Sequence, residues 1–172
     1  PRESIREISE AGLFCVLKPR EFGGAELGLA TLVEVTAEIA AACGSTGWIY
    51  GVMGGHSWLL NLFPYEAQRE VYDDPDALIA TVFRLASRTT RVKGGYRLEA
   101  GEGRFCSGID HAKWLIVGSP VIGKDGEPPE QRFFLVPRSD VSDVIDDWYV
   151  AGMRGTGSKS IRIREAFIPE HR

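Results

Sequence analysis

Apolar side chains recur every three or four positions through the first 75 residues, and from Ala77 onward they run consecutively or alternate. The first spacing marks one face of a helix and the second marks strands, because side chains repeat about every 3.6 residues in one and about every 2 in the other. A short first helix carries Ile5 and Ile8, with Ser4 as its predicted N-cap and Gly12 near its end. Leu13 to Leu17 reads as a buried connection and Pro19 to Gly24 as a turn. Leu29, Leu32, Val33, Thr36, Ile39 and Ala40 line one face of a second helix over 29–42, and Ser45 or Thr46 caps a third from Gly47 to about Leu62. Pro64 suits the first turn of a fourth helix, which runs to about Val71, and Asp73-Asp74-Pro75 closes the helical part.

The third helix is unusual in its glycines. Gly47, Gly51, Gly54 and Gly55 each weaken a helix by up to ~1 kcal/mol relative to alanine, so something must lie close against it. Trp48, Val52, His56 and Leu59 share a single stripe of the same helix. Two readings are open. Either the glycines permit tight helix packing and His56 is a hydrogen-bonded core residue, or the helix walls a pocket with His56 as the titratable group facing in.

The second half reads as strands. Leu78 to Phe83 is a buried-strand pattern, Lys93-Gly94-Gly95-Tyr96 a tight turn, and Tyr96 to Glu99 the returning strand. From Gly101 to Trp114 an aromatic, a thiol and a hydroxyl (Phe105, Cys106, Ser107) run straight into Gly108 and the polar pair Asp110-His111. Glycine lacks the Cβ that blocks close approach, so such a strand end suits a flat ligand. The plainer alternative is a strand, a turn and a second strand from Trp114 to Pro120. A turn at Lys124-Asp125-Gly126, a strand from Arg132 to Pro137, and an alternating strand from Ser160 to Arg164 ahead of Ala166 to Pro169 complete a small β-sandwich or barrel. The predicted class is α+β, with residues 1–75 a helical domain and 76–172 a β domain. Between Gly152 and Ser158, three glycines with Arg154, Thr156 and Ser158 resemble an anion-cradling loop. No Gly-Lys-Ser/Thr or Gly-x-Gly-x-x-Gly pattern accompanies them, so a turn-rich connection stays equally open.

Charge and composition narrow the partners. Twenty Lys and Arg against 24 Asp and Glu leave a net charge of -4, with no basic stripe interleaved with aromatics, which argues against nucleic acid. Cys15, Cys43 and Cys106 lie far apart without paired spacing, against a disulfide framework and against a metal site, and fit a reducing cytoplasm. No apolar run reaches the ~20 residues of a membrane span, so no membrane association is expected.

Taken in order, Cys43-Gly-Ser-Thr-Gly-Trp48 with His56-Ser-Trp58, Ser107-Gly-Ile-Asp-His-Ala-Lys-Trp114, Asp147-Trp-Tyr-Val-Ala-Gly-Met-Arg-Gly-Thr-Gly-Ser158 and Phe167-Ile-Pro-Glu-His-Arg172 resemble one family. It comprises the oxygenase components of two-component flavin-dependent monooxygenases with the acyl-CoA dehydrogenase fold, in particular the aromatic hydroxylases. The likeness covers nearly the whole chain. It implies a helical N-terminal domain, a middle β domain and a C-terminal four-helix bundle, usually in a homotetramer. The bundle is absent from this sequence, which therefore reads as the first half of a longer enzyme.

The resemblance also implies a chemistry. A separate NAD(P)H:flavin reductase supplies reduced flavin, FMNH2 or FADH2, and the oxygenase hydroxylates a small phenol with O2 through a flavin C4a-hydroperoxide. Ser107 takes the place of a hydroxyl that meets flavin N5, and Phe105 that of an aromatic beside the ring. Cys106, Arg154, Gly155, Thr156 and Ser158 join them as cofactor-binding candidates. His56 and Ser107 are the catalytic candidates, and Trp48, His56 and Thr81 the substrate wall. Phe83 to Thr90 lacks the family's usual loop motifs, and the stretch Leu98 to Phe105 is one residue longer than usual. An acyl-CoA dehydrogenase-like oxidoreductase, an N-hydroxylase of the same fold and a non-catalytic relative are the alternatives.

Overall fold

The computed structural model describes residues 2–123 and 128–172, so the turn expected at Lys124 to Gly126 lies outside the described residues. Four helices come first: α1 (Arg2–Glu10), α2 (Leu29–Ala42), α3 (Gly44–Leu60) and α4 (Tyr65–Tyr72). Ser4 lies inside α1 rather than capping it. Neither Ser45 nor Thr46 caps α3, because the helix starts earlier: Cys43 is the N-cap, in extended conformation and with no side-chain cap bond.

Seven strands follow: β1 (Ile79–Val82), β2 (Ala86–Val92), β3 (Gly95–Cys106), β4 (Trp114–Val121), β5 (Glu130–Pro137), β6 (Asp143–Ile145) and β7 (Lys159–Pro169). All belong to one curled sheet, not to two packed sheets. β4 pairs in parallel with β1 and, through its last residue Val121, with Thr89 in the middle of β2, and antiparallel with β5. β3 lies between β2 and β7, and β6 lines the far side of β7.

The expected short strand Tyr96 to Glu99 is the start of the much longer β3, which continues to Cys106. β2 escaped the sequence pattern because Thr89 is its single fully buried position, and β6 because it has three residues, all half-buried. The extra residue before Phe105 is absorbed as a bulge: Gly103 pairs with Ile161 and Cys106 with Lys159, three steps against two. Phe105 sits there at φ 63°, a left-handed value rare for a large side chain, and its ring is turned outward.

Helices and sheet share an apolar core, with a second cluster around Leu60, Val71, Ile116 and Leu135. Ile5, Tyr50 and Met53 from the helices are continuous with Leu98, Leu115, Phe134 and Ile163 from the strands. That packing holds α3 across the sheet and sets the geometry of the cleft described next.

Candidate functional site

α3 presents different faces to different neighbours. Its glycines meet α2: a Cβ on Gly47 would lie 2.5 Å from Ala40 Cβ, and one on Gly51 3.0 Å from Thr36 Cγ2. The glycines therefore serve helix packing. The stripe of Trp48, Val52 and His56 instead walls an open cleft of about 930 Å³ between α3 and the sheet, while Leu59 borders a second cavity of about 500 Å³. The glycines thus pack on α2, while His56 is both hydrogen-bonded and part of the cleft wall.

His56 is buried, and its Nδ1 lies 2.6 Å from the Ile79 carbonyl. A carbonyl only accepts, so Nδ1 carries the hydrogen and Nε2 is left as an acceptor. Burial pushes the imidazole pKa down to about 4, against the smaller opposing effect of the Ile79 bond. His56 is accordingly neutral at pH 7. Two residues beyond Ile79, Thr81 borders the same cleft, and its Oγ1, itself buried, has no hydrogen-bond partner among the described residues. Leaving such a group unpaired costs about 1–3 kcal/mol.

Opposite this wall, the turn after β3 presents Ser107. Trp48 Nε1 donates to Ser107 Oγ at 3.1 Å, Ser107 Oγ lies 2.7 Å from Ser158 Oγ, and Ser158 Oγ lies 2.7 Å from Thr156 Oγ1. Thr156 Oγ1 donates in turn to the Met153 carbonyl at 2.9 Å. The Gly108 amide also donates to the Thr156 carbonyl, and Lys159 Nζ donates to Asp110 at 3.0 Å, so the 153–159 segment is docked on the β3 turn. The Phe105 ring stands edge-on to Trp148, 6.1 Å between centroids.

The glycines near Ser107 serve packing rather than ligand approach. A Cβ on Gly103 would strike Val82 at 2.6 Å, and one on Gly108, at φ 76°, would lie 2.5 Å from Met53 Sδ. Cys106 is wholly buried in the core, with burial pushing its thiol pKa up to about 12, and its side chain does not reach the cleft. It is inert by position. Arg154 and Gly155 are exposed and lie outside the cleft wall, and Thr156 and Ser158 are buried behind Ser107. The cleft thus brings together Trp48, His56, Thr81, Phe105 and Ser107, and does not bring in Cys106, Arg154 or Gly155.

It also holds residues the sequence reading missed. Arg84, Arg104 and Arg162 line it together with Glu102 and Asp147. Arg162 pairs with Glu102 at 2.8 Å, and Asp147 accepts from the Ser160 amide and hydroxyl. Those two Ser160 bonds hold the Asp147 carboxyl below its ordinary pKa. Arg84 and Arg104 make no ion pair among the described residues, which leaves two cationic groups at the cleft. The alternation of Glu102 and Arg104 on β3 with Ser160 and Arg162 on β7 was the available signal, since period-two polar positions share one sheet face. Among the described residues no three His, Cys, Asp or Glu side chains gather as a metal site, and no helix is long and apolar enough to cross a membrane.

Residues 1–75 match the family described as acyl-CoA dehydrogenase, N-terminal domain. Over its whole length the chain is 41% identical to the flavin-dependent monooxygenase, oxygenase subunit HsaA, of Mycobacterium tuberculosis, covering 43% of that protein. It is 39% identical over its whole length to the FADH(2)-dependent resorcinol hydroxylase, oxygenase component, of a Rhizobium species, covering 42% of it. The crystal structure of 3-HSA hydroxylase from Rhodococcus sp. RHA1 superposes on the entire chain with a TM-score of 0.93 at 39% identity, and the chain covers 44% of that structure. The chain spans less than half the length of the relatives it matches.

Proposed function

We propose that this chain, which is similar over its whole length to oxygenase components of flavin-dependent monooxygenases and in residues 1–75 to the acyl-CoA dehydrogenase N-terminal domain, binds reduced flavin and hydroxylates a small phenol with O2. The observation that carries the reading is one cleft in which a neutral buried histidine, an unpaired buried threonine hydroxyl and an anchored serine converge. The residues present fit a flavin. Trp48, Val52 and Phe105 offer apolar and aromatic surface to a flat ring, Thr81 Oγ1 needs a partner, and Arg84 and Arg104 suit its phosphate. A reduced flavin bound there would supply the two electrons that activate O2, one atom of which passes to the substrate ring while the other leaves as water.

The protein's own contribution is orientation, exclusion of water and placement of hydrogen bonds. Ser107 is the residue that would face flavin N5, and Trp48 holds Ser107 in place. Phe105, at the bulge in β3, would pack beside the ring. His56, with Nδ1–H held by Ile79, turns Nε2 to the phenol as an acceptor. Accepting the phenolic hydrogen leaves more electron density on the ortho carbon. Thr81 lines the same substrate wall. Thr156 and Ser158 serve the cofactor from behind Ser107, without touching it. The helical residues 1–75 and the strand-rich residues 76–172 act as two domains around this cleft. The reading further takes the enzyme as cytoplasmic, consistent with three free cysteines, as a homotetramer, and as served by a separate NAD(P)H:flavin reductase.

The test supplies full-length protein with chemically reduced FMN or FAD, O2 and a panel of monophenols. The expected product is the ortho-dihydroxy compound, one oxygen atom heavier by mass spectrometry and dependent on the added reduced flavin. Ser107→Ala diverts turnover from product toward released hydrogen peroxide, read as a lower ratio of product to O2 consumed. Oxidation of an acyl-CoA without phenol hydroxylation, or no flavin binding in either redox state, overturns the reading.

A further inference from the structure

The hydroxyl chain behind Ser107 has a direction. Trp48 Nε1 can only donate, and the Met153 carbonyl can only accept. Between them stand three hydroxyls, each with one hydrogen, and three bonds that need one: Ser107 to Ser158, Ser158 to Thr156, and Thr156 to Met153. A single arrangement makes all of them. Thr156 spends its hydrogen on the carbonyl, Ser158 then donates to Thr156, and Ser107 donates to Ser158. Thr156 and Ser158 are 3% and 5% exposed, so water does not compete for these bonds. Ser107 accepts from Trp48, has no hydrogen left, and keeps one lone pair for the cleft it lines.

We propose that Thr156 and Ser158 are positioning residues that fix the polarity of the Ser107 hydroxyl, so that it meets a bound flavin only as a hydrogen-bond acceptor and the site favours the reduced ring. The inference rests on the reading above that Ser107 meets N5. Reduced flavin carries a hydrogen on N5 and donates there; oxidised flavin has only a lone pair there. An acceptor-only Ser107 therefore bonds the first and opposes its lone pair to that of the second. Had the chain run the other way, Ser107 would point its hydrogen into the cleft and prefer the oxidised form.

The experiment measures dissociation constants of the full-length protein for oxidised and, anaerobically, reduced FMN and FAD, and takes their ratio. In Thr156→Val the anchor on the Met153 carbonyl is lost, Ser158 is free to donate to Ser107, and the Ser107 hydrogen is released. The oxidised-to-reduced ratio then falls about threefold to tenfold, the worth of one hydrogen bond. Ser158→Ala gives the same fall, since Ser107 loses its acceptor. Thr156→Ser, which keeps the hydroxyl, retains the wild-type ratio. Trp48→Phe also keeps the preference for reduced flavin, because the relay to Met153 is intact. Unchanged ratios in Thr156→Val and Ser158→Ala, with flavin still bound and circular dichroism native, overturn the proposal. If wild-type protein binds neither form, or Ser107→Ala leaves the ratio untouched, the assignment of Ser107 to N5 fails instead.

Discussion

At the scale of single residues, a buried histidine and a buried threonine line one cleft. His56 was legible as an inward residue from its place in the stripe with Trp48 and Val52, but its tautomer was not, because the Ile79 carbonyl that fixes it lies on another element. The consequence is measurable through pH. The imidazole pKa falls from 6.5 to about 4 on folding, so below 6.5 the unfolded chain takes up a proton that the folded protein refuses. This contribution to stability is complete above 6.5 and is lost as pH falls toward 4. Between pH 7 and pH 5 it amounts to about 2 kcal/mol. Urea unfolding at the two pH values should show a loss in His56→Gln, whose side chain does not titrate, smaller than the wild type's by that amount, the remainder including the share of His111, whose pKa burial also lowers. Equal losses in both proteins would show that folding does not lower the His56 pKa.

Among the elements, α3 carries most of the design, and its glycines and its stripe have different jobs. Spacing alone revealed both sets but not their neighbours, since the surfaces they meet, α2 and the sheet, come from elsewhere in the chain. The glycine seam gives a paired prediction. A Cβ on Gly47 falls within 2.5 Å of Ala40 Cβ and 2.7 Å of its Cα, backbone that cannot step aside, whereas one on Gly55 meets Leu32 Cδ2 at an ordinary 3.7 Å. Gly47→Ala should therefore destabilise by about 1–3 kcal/mol through overpacking, and Gly55→Ala should be neutral or stabilise by up to ~1 kcal/mol through helix propensity. Thermal melts of the two variants test the seam directly. Matching melting temperatures would mean that α2 and α3 are not packed as closely as described. The bulge in β3 makes the complementary point about legibility: the extra residue showed in the sequence, but that it would turn Phe105 outward depended on its pairing with β7.

Across the whole molecule, the order of helices and then strands was plain from the change of apolar period, while the sheet's connectivity was not. β2 is mostly polar on both faces, and β4 joins strands that precede it by parallel pairing, which no local pattern encodes. The closing motif Pro169-Glu170-His171-Arg172 was visible only as a family likeness, and the structure supplies its physical role. Arg172 Nε and His171 Nε2 both reach the Glu70 carboxylate on α4, the guanidinium lies 5.1 Å from the centre of the Trp114 ring, and the Arg172 carbonyl accepts from the Leu135 amide. One short segment thereby ties the end of β7 to a helix about a hundred residues earlier and to β4 and β5. Burial raises the Glu70 carboxyl pKa, but the bonds from Arg172 and His171 outweigh it and hold the group below its ordinary value. The tie is thus complete above the carboxylate range and is lost as pH falls through it. Glu70→Gln keeps the shape and removes the charge, and should cost about 2 kcal/mol at pH 7 in denaturant titrations. Arg172→Lys keeps the charge but loses the planar fork and the stacking on Trp114, so it should recover only part of that stability. If Glu70→Gln unfolds at the wild-type midpoint, helix and sheet are held together by their shared apolar core alone, and the closing motif has no structural share in the fold.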